Sequence, residues 1–181
     1  MLILRWARSL ALIMFAVALV AGVALLFRDP LQPSIAGPGG IDLGLRLDIL
    51  SVVLLAFVAT IAWIVSTYSI VNLAGQHRTD RFGWLMLLAT GSLALMVTGA
   101  SLPIIAIGWT LSGVALARLV AHTNTDTSRA AAGFVGRRLM ASDAFLWLGI
   151  IAAIIVLPTV NRAELSGADL SLIAASSVAL L

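Results

Sequence analysis

The 181-residue chain is 61% hydrophobic and only 10% charged, with a formal charge of +3, a mean hydropathy of +1.11 and no cysteine. This composition lies outside that of soluble globular domains and identifies an integral membrane protein. Without thiols the chain has no disulfides, thiolate catalysis, iron–sulfur ligation or cysteine-based zinc sites, and eleven arginines scattered between apolar runs form no basic stripe for nucleic acid.

Five apolar runs are long enough to span a bilayer: Leu10 to Phe27, Ile49 to Val71, Phe82 to Ala100, Leu102 to Ala121, and Leu139 to Val160. Lipid offers no partner to unpaired backbone groups, and the alternation of a strand barrel is absent, so each run is expected to be a helix. The expected fold is all-α, a polytopic transmembrane bundle of about five to six spans forming one membrane domain over residues 1–181. The first run follows Arg5 and Arg8 and exceeds the core of a secretory signal, so it is expected to be an uncleaved first span.

The segment 28–47 carries Pro30, Pro33, Pro38, Gly37, Gly39, Gly40 and Gly44, the composition of an irregular external connection. Its GPGG is no phosphate loop, since no strand precedes it and no helix-opening glycine follows. With the N-terminus cytoplasmic, the inner segments hold Arg5, Arg8, Arg78, Arg81, Arg129, Arg137 and Arg138, against Arg28, Arg46 and Arg162 outside. That asymmetry predicts an N-inside orientation and makes residues 122–138 a cytoplasmic loop. From Asp169 the chain reads DLSLIAASSVALL, too short to cross, so the expectation is the front part of a longer protein.

Polar groups at membrane depth are the candidates for function. In LPIIAIGWTLSGVALARLVA, residues 102–121, Ala106, Thr110, Gly113 and Ala117 form one small-residue stripe. Such a stripe admits a neighbouring helix, and Thr110 is either a cross-helix hydrogen bonder or a neutral polar station on a hydrated path. Arg118 lies near the cytoplasmic end, where its head group snorkels to lipid or meets Asp143 of the next run. Arg46 and Asp48 stand at the external mouth of the second run, where Asp48 also fits an ordinary helix N-cap. Tyr68, with Ser66 and Thr67, closes that run inside, the place of an interfacial aromatic anchor. His77 and His122 fall in loops without ligand-spaced neighbours, so no metal site is expected. No nucleophile–base set or carboxylate pair is present, and the one glutamate, Glu164, lies in an outside loop; covalent catalysis by this chain alone is not expected.

In order, the blocks GLRLDILS, STYSIVNLAGQ, IGWTLSGVALARLV and RRLMASDAFLWLG resemble the N-terminal third of the proton-conducting, antiporter-like membrane subunits. That superfamily includes complex I subunit L (chain 5), Mrp antiporter subunits and DabB, the membrane partner in bacterial inorganic-carbon uptake. The resemblance covers about Gly44 to Val156 and lies in the order and spacing of the blocks. Complex I and Mrp subunits have Gly-Trp-Glu where this chain has Gly108, Trp109 and Thr110, and that glutamate is their buried proton-path carboxylate. The DabB type lacks it and carries a pattern that Trp109, Ala115, Leu116, Arg118 and Leu119 match, with Ser112 close to its threonine; Ala117 departs from its histidine. Asp143 aligns with the Asp of the family's Arg-x-Gly-Asp segment, where Met140 and Ser142 replace the Arg and Gly. The family's membrane lysine has no counterpart in a chain without lysine.

The resemblance implies a membrane subunit of an ion-coupled, proton-coupled complex in the cell inner membrane, of the DabB type for CO2 or bicarbonate uptake. Its partner would be a soluble zinc-containing, DabA-like subunit, with no cofactor in this chain. The alternatives are a subunit L-like proton-translocating subunit of an NADH:quinone oxidoreductase or an Mrp-type antiporter, and a non-conducting scaffold or truncated remnant that docks a partner. Thr110, Arg118, Asp143 and Asp48 are the candidate proton or ion path residues, and Arg46, Tyr68, Trp109 and Ser112 belong to the motif.

Overall fold

The computed structural model describes residues 2–27, 30, 33, 41–73, 79–122, 125–156 and 160–162. They form five helices: α1 Leu2–Leu25, α2 Ile49–Asn72, α3 Thr79–Thr98, α4 Leu102–Val120 and α5 Asp126–Val156. Each is long and apolar enough to cross a membrane, and no strand occurs among the described residues. The chain is thus an all-α, multi-pass membrane bundle.

Helix limits follow local chemistry. Asp48 caps α2 by accepting a 2.8 Å bond from the Ser51 amide, satisfying one of the donors a helix start leaves free. Pro103 lies in the first turn of α4, where a missing N–H breaks no ladder bond. The ends of α1, α3 and α5 shift by two to four residues from the sequence reading, and two starts differ by more. α1 starts at Leu2 and takes in Arg5 and Arg8, because Leu4 and Ala7 continue the buried face of Ala11 and Ala18. The segment 122–138, read as a loop, is helical from Asp126 onward. Its Ala130–Ala132 run and Arg137–Arg138 are strong helix formers, and Thr125 caps the start by accepting from the Ser128 amide at 3.2 Å. At 31 residues α5 is about 46 Å long, so its first turns stand clear of a bilayer core of about 30 Å.

Packing relies on small side chains, as expected where lipid removes the hydrophobic drive between helices. α1 sets Ala11, Ala18 and Ala21, and α2 sets Ser51, Ala59, Ala62 and Ser66, on their buried faces. The apolar core joins Ala18, Ala21, Leu25, Val52, Leu55 and Val97 at one end of α1, α2 and α3. α3 and α4 approach so closely at Gly108 that an added Cβ would lie 2.6 Å from the Met96 nitrogen and 2.8 Å from the Ser92 carbonyl oxygen. α5 leans on α4 and leaves most of its circumference open.

The GPGG segment, Arg28, His77, Arg78, Glu164 and the run after Asp169 lie outside the described residues. The described part of 28–47 is irregular, as its composition predicts, until Asp48 opens α2.

Candidate functional site

The candidate residues fall into two places. One lies between α4 and α5. Thr110, midway along α4, accepts a 3.1 Å hydrogen bond from the Trp147 indole N–H of α5. One turn further towards the α4 C-terminus, a cavity of about 160 Å³ opens, lined by Gly113, Ala117 and Arg118 of α4 and Gly136, Leu139 and Asp143 of α5, among others. The small stripe on α4 makes this space: Gly113 carries nothing that reaches Leu139, and a Cβ there would still sit 3.7 Å from it.

Asp143 is partly buried, and its Oδ1 is enclosed with no hydrogen-bond partner among the described residues. Arg118 is exposed on the same cavity. Among the described residues no ion pair joins them, so the Arg118–Asp143 pairing considered from sequence is not formed. The reason is geometric: Arg118 extends outward from the last turn of α4, where water or headgroups solvate it at little cost, while Asp143 sits on the α5 face towards Gly113 and Leu139.

The second place is the opposite end, external by the arginine count. The Asp48 carboxylate accepts the Ser51 amide on Oδ1, while its Oδ2 lies 3.1 Å from Arg162 Nη2 and 3.6 Å from Arg46 Nε. Arg162 Nη1 also donates to Ser51 Oγ at 3.1 Å and to the Val97 carbonyl at 3.3 Å, tying the segment after α5 to α2 and α3. Backbone bonds from Arg46 to Thr98, Ala100 to Gly44 and Arg162 to Ala100 complete the junction. Burial works against the charge on Asp48, but the bonds from Ser51 and the positive charges of Arg162 and Arg46 outweigh it and hold the carboxyl below the usual aspartate range. This arrangement is an electrostatic clasp, with the N-cap role and the ion-pair role of Asp48 combined.

The remaining motif residues are peripheral to both places. Trp109 is exposed on α4, Ser112 Oγ donates to the Trp109 carbonyl at 2.7 Å within the same helix, and Tyr68 is exposed in the last turns of α2. His122 stacks edge-on against Phe82, with centroids 5.2 Å apart. Sequence reading missed Trp147 and Arg162 as site residues. Trp147 was legible only as a polar-handled aromatic within an apolar run, and Arg162 only as one more external charge.

Residues 36–83 match the family model described as NADH-Ubiquinone oxidoreductase (complex I), chain 5 N-terminus. A comparison with curated proteins found no match. Among solved structures, the chain is similar to one in the structure of the membrane-bound sulfane sulfur reductase (MBS), an archaeal respiratory membrane complex. The TM-score is 0.74 at 15% identity, and the match covers 90% of this chain and 34% of that one. The chain therefore spans about a third of the length of the protein it matches. The matched segment is thus similar to the complex I chain 5 N-terminus, and the fold is that of a chain in a respiratory membrane complex.

Proposed function

We propose that this chain is an antiporter-like membrane subunit, the front portion of a DabB-like protein in a complex that couples proton flow to uptake of CO2 or bicarbonate; the match of residues 36–83 to the complex I chain 5 N-terminus supports the antiporter-like part of that reading. The observation that carries the reading is the Trp147–Thr110 bond. Where the respiratory and Mrp branches hold a buried glutamate, this chain holds a neutral hydroxyl already engaged by an indole N–H, which cannot store a proton as charge. The DabB type lacks that glutamate too. On this reading Asp143 is the acid of the α4–α5 cavity, Arg118 tunes the field at its mouth, and the Asp48 clasp holds the external ends of α2 and α3 in register. The partner is a soluble zinc-containing, DabA-like subunit, and the site of action is the cell inner membrane.

A second reading is a proton-translocating subunit of the complex I chain 5 type, favoured by the family match over residues 36–83. The two part in one experiment. The full chain is expressed with its zinc-containing partner in a strain that requires high CO2, and growth in air is scored. Rescue that is lost in Asp143→Asn supports carbon uptake. No rescue, with the two proteins shown to associate, rules it out and leaves either the respiratory subunit or a docking scaffold.

A further inference from the structure

We infer that the Trp147–Thr110 hydrogen bond is a plug: it closes the α4–α5 cavity at mid-membrane and confines water reaching Asp143 to the Arg118 half of the bilayer. The inference deepens the proposed function and rests on its reading of the cavity as an aqueous path. Asp143 and Trp147 are four residues apart on α5, and Gly113 and Thr110 are three apart on α4, so each pair stacks on one face one turn apart. The cavity occupies the lower turn, between Gly113, Ala117 and Asp143. The upper turn is filled by the indole, fixed by its bond to Thr110.

Three further observations place the boundary there. Asp143 Oδ1 is enclosed and accepts no hydrogen bond among the described residues, and the cavity beside it is where water can supply a donor. Beyond the indole the next residue on the same α5 face, Ile150, is buried at 7% exposure and Ala106 of α4 at 1%, and neither α4 from Leu102 to Gly108 nor α5 from Leu148 to Val156 carries a charged, hydroxyl or amide side chain. Arg118 is the charged group α4 places on the cavity, and it lies on the side of Asp143 away from Trp147. An indole seals such a seam well because it is large and rigid, and its single donor has one orientation that satisfies it.

The chain has no cysteine, so thiol accessibility tests the plug directly. Single cysteines are placed below it, Gly113→Cys, and above it, Ile150→Cys, in the full-length protein in inside-out membrane vesicles treated with a membrane-impermeant maleimide. The cysteine at 113 is expected to react and that at 150 to be protected. Trp147→Phe and Thr110→Val, which remove the bond while keeping bulk, are expected to speed labelling at 150 by about threefold to tenfold, whereas Thr110→Ser, which keeps the acceptor, leaves it protected. Unchanged reactivity at 113 in each variant reports an intact cavity. The proposal falls if 150 labels as fast as 113 in the parent, if both bond-breaking variants leave 150 protected, or if 113 itself is unreactive. The readout needs no transport: failed growth rescue with this labelling pattern sinks carbon uptake and leaves the plug, and the converse sinks the plug alone.

Discussion

Arg162 reaches Asp48 across 114 positions of sequence, its Nη2 lying 3.1 Å from the carboxylate Oδ2, and through that contact the segment after α5 is fastened to the start of α2. The same guanidinium bonds Ser51 and Val97, so one side chain joins three parts of the chain. Removing it leaves Asp48 with the more distant Arg46 and leaves two acceptors unpaired. Arg162→Gln is expected to lower stability by about 1 to 3 kcal/mol, read as thermal unfolding in detergent. Asp48→Asn combined with it should cost less than the sum of the single changes. Additive losses would mean that the two side chains act separately.

The depressed acidity of Asp48 predicts a pH dependence with a definite sign. The unfolded aspartate binds a proton at higher pH than the native one, so the clasp contributes fully above the ordinary aspartate pKa and fades as the pH falls through the lower native value. The melting temperature should therefore decline below about pH 4, and Asp48→Asn should flatten the part of that decline due to this group.

Gly108 and Gly113, five residues apart on α4, should respond oppositely to the same substitution. Gly108→Ala drives a methyl into the Met96 and Ser92 backbone and forces α3 and α4 apart, an overpacking expected to cost about 1 to 3 kcal/mol. Gly113→Ala meets only Leu139 at ordinary contact distance, and the gain in helix propensity should leave stability equal or slightly higher. Comparison of the two melting curves checks the α3–α4 packing.

Asp143 trades stability for function if it is the acid of the cavity. Its enclosed Oδ1 has no hydrogen-bond partner among the described residues, so Asp143→Asn removes no native bond and should leave the melting temperature equal or higher while ion-coupled activity falls. A loss of both together would assign Asp143 a structural role.

The cross-helix bond is measurable by itself. A double-mutant cycle of Thr110→Val and Trp147→Phe should return a coupling of about 0.6 kcal/mol, the average for hydrogen bonds between membrane helices. No coupling would mean that the bond adds nothing to the packing of α5 on α4.

How much was legible beforehand differs from residue to residue. The α2 start at Ile49 and the α4 start at Leu102 were readable to the residue from the limits of the apolar runs, with Asp48 also readable as the N-cap of α2. The start of α5 was not, because Arg129 and Arg137–Arg138 read as loop charge when only a membrane-length apolar run is sought. Thr110 was readable as a polar group on a small-residue stripe, but its donor was not, since nothing in an apolar run says which way a tryptophan faces. Arg118 and Asp143 line one cavity, yet their pairing depended on side-chain directions that no spacing encodes.

By itself, then, the sequence determined the spans, the membrane setting and the helical class, because a backbone in lipid must satisfy its own hydrogen bonds and apolar length alone decides where it can. Only the tertiary structure decided which residues meet: Trp147 with Thr110, Arg162 with Asp48, and the Gly108 backbone with Met96. Those meetings depend on how far each helix is rotated and how its register is set against a neighbour. Both are consequences of packing small side chains against one another, with no signature in the order of residues along any one helix.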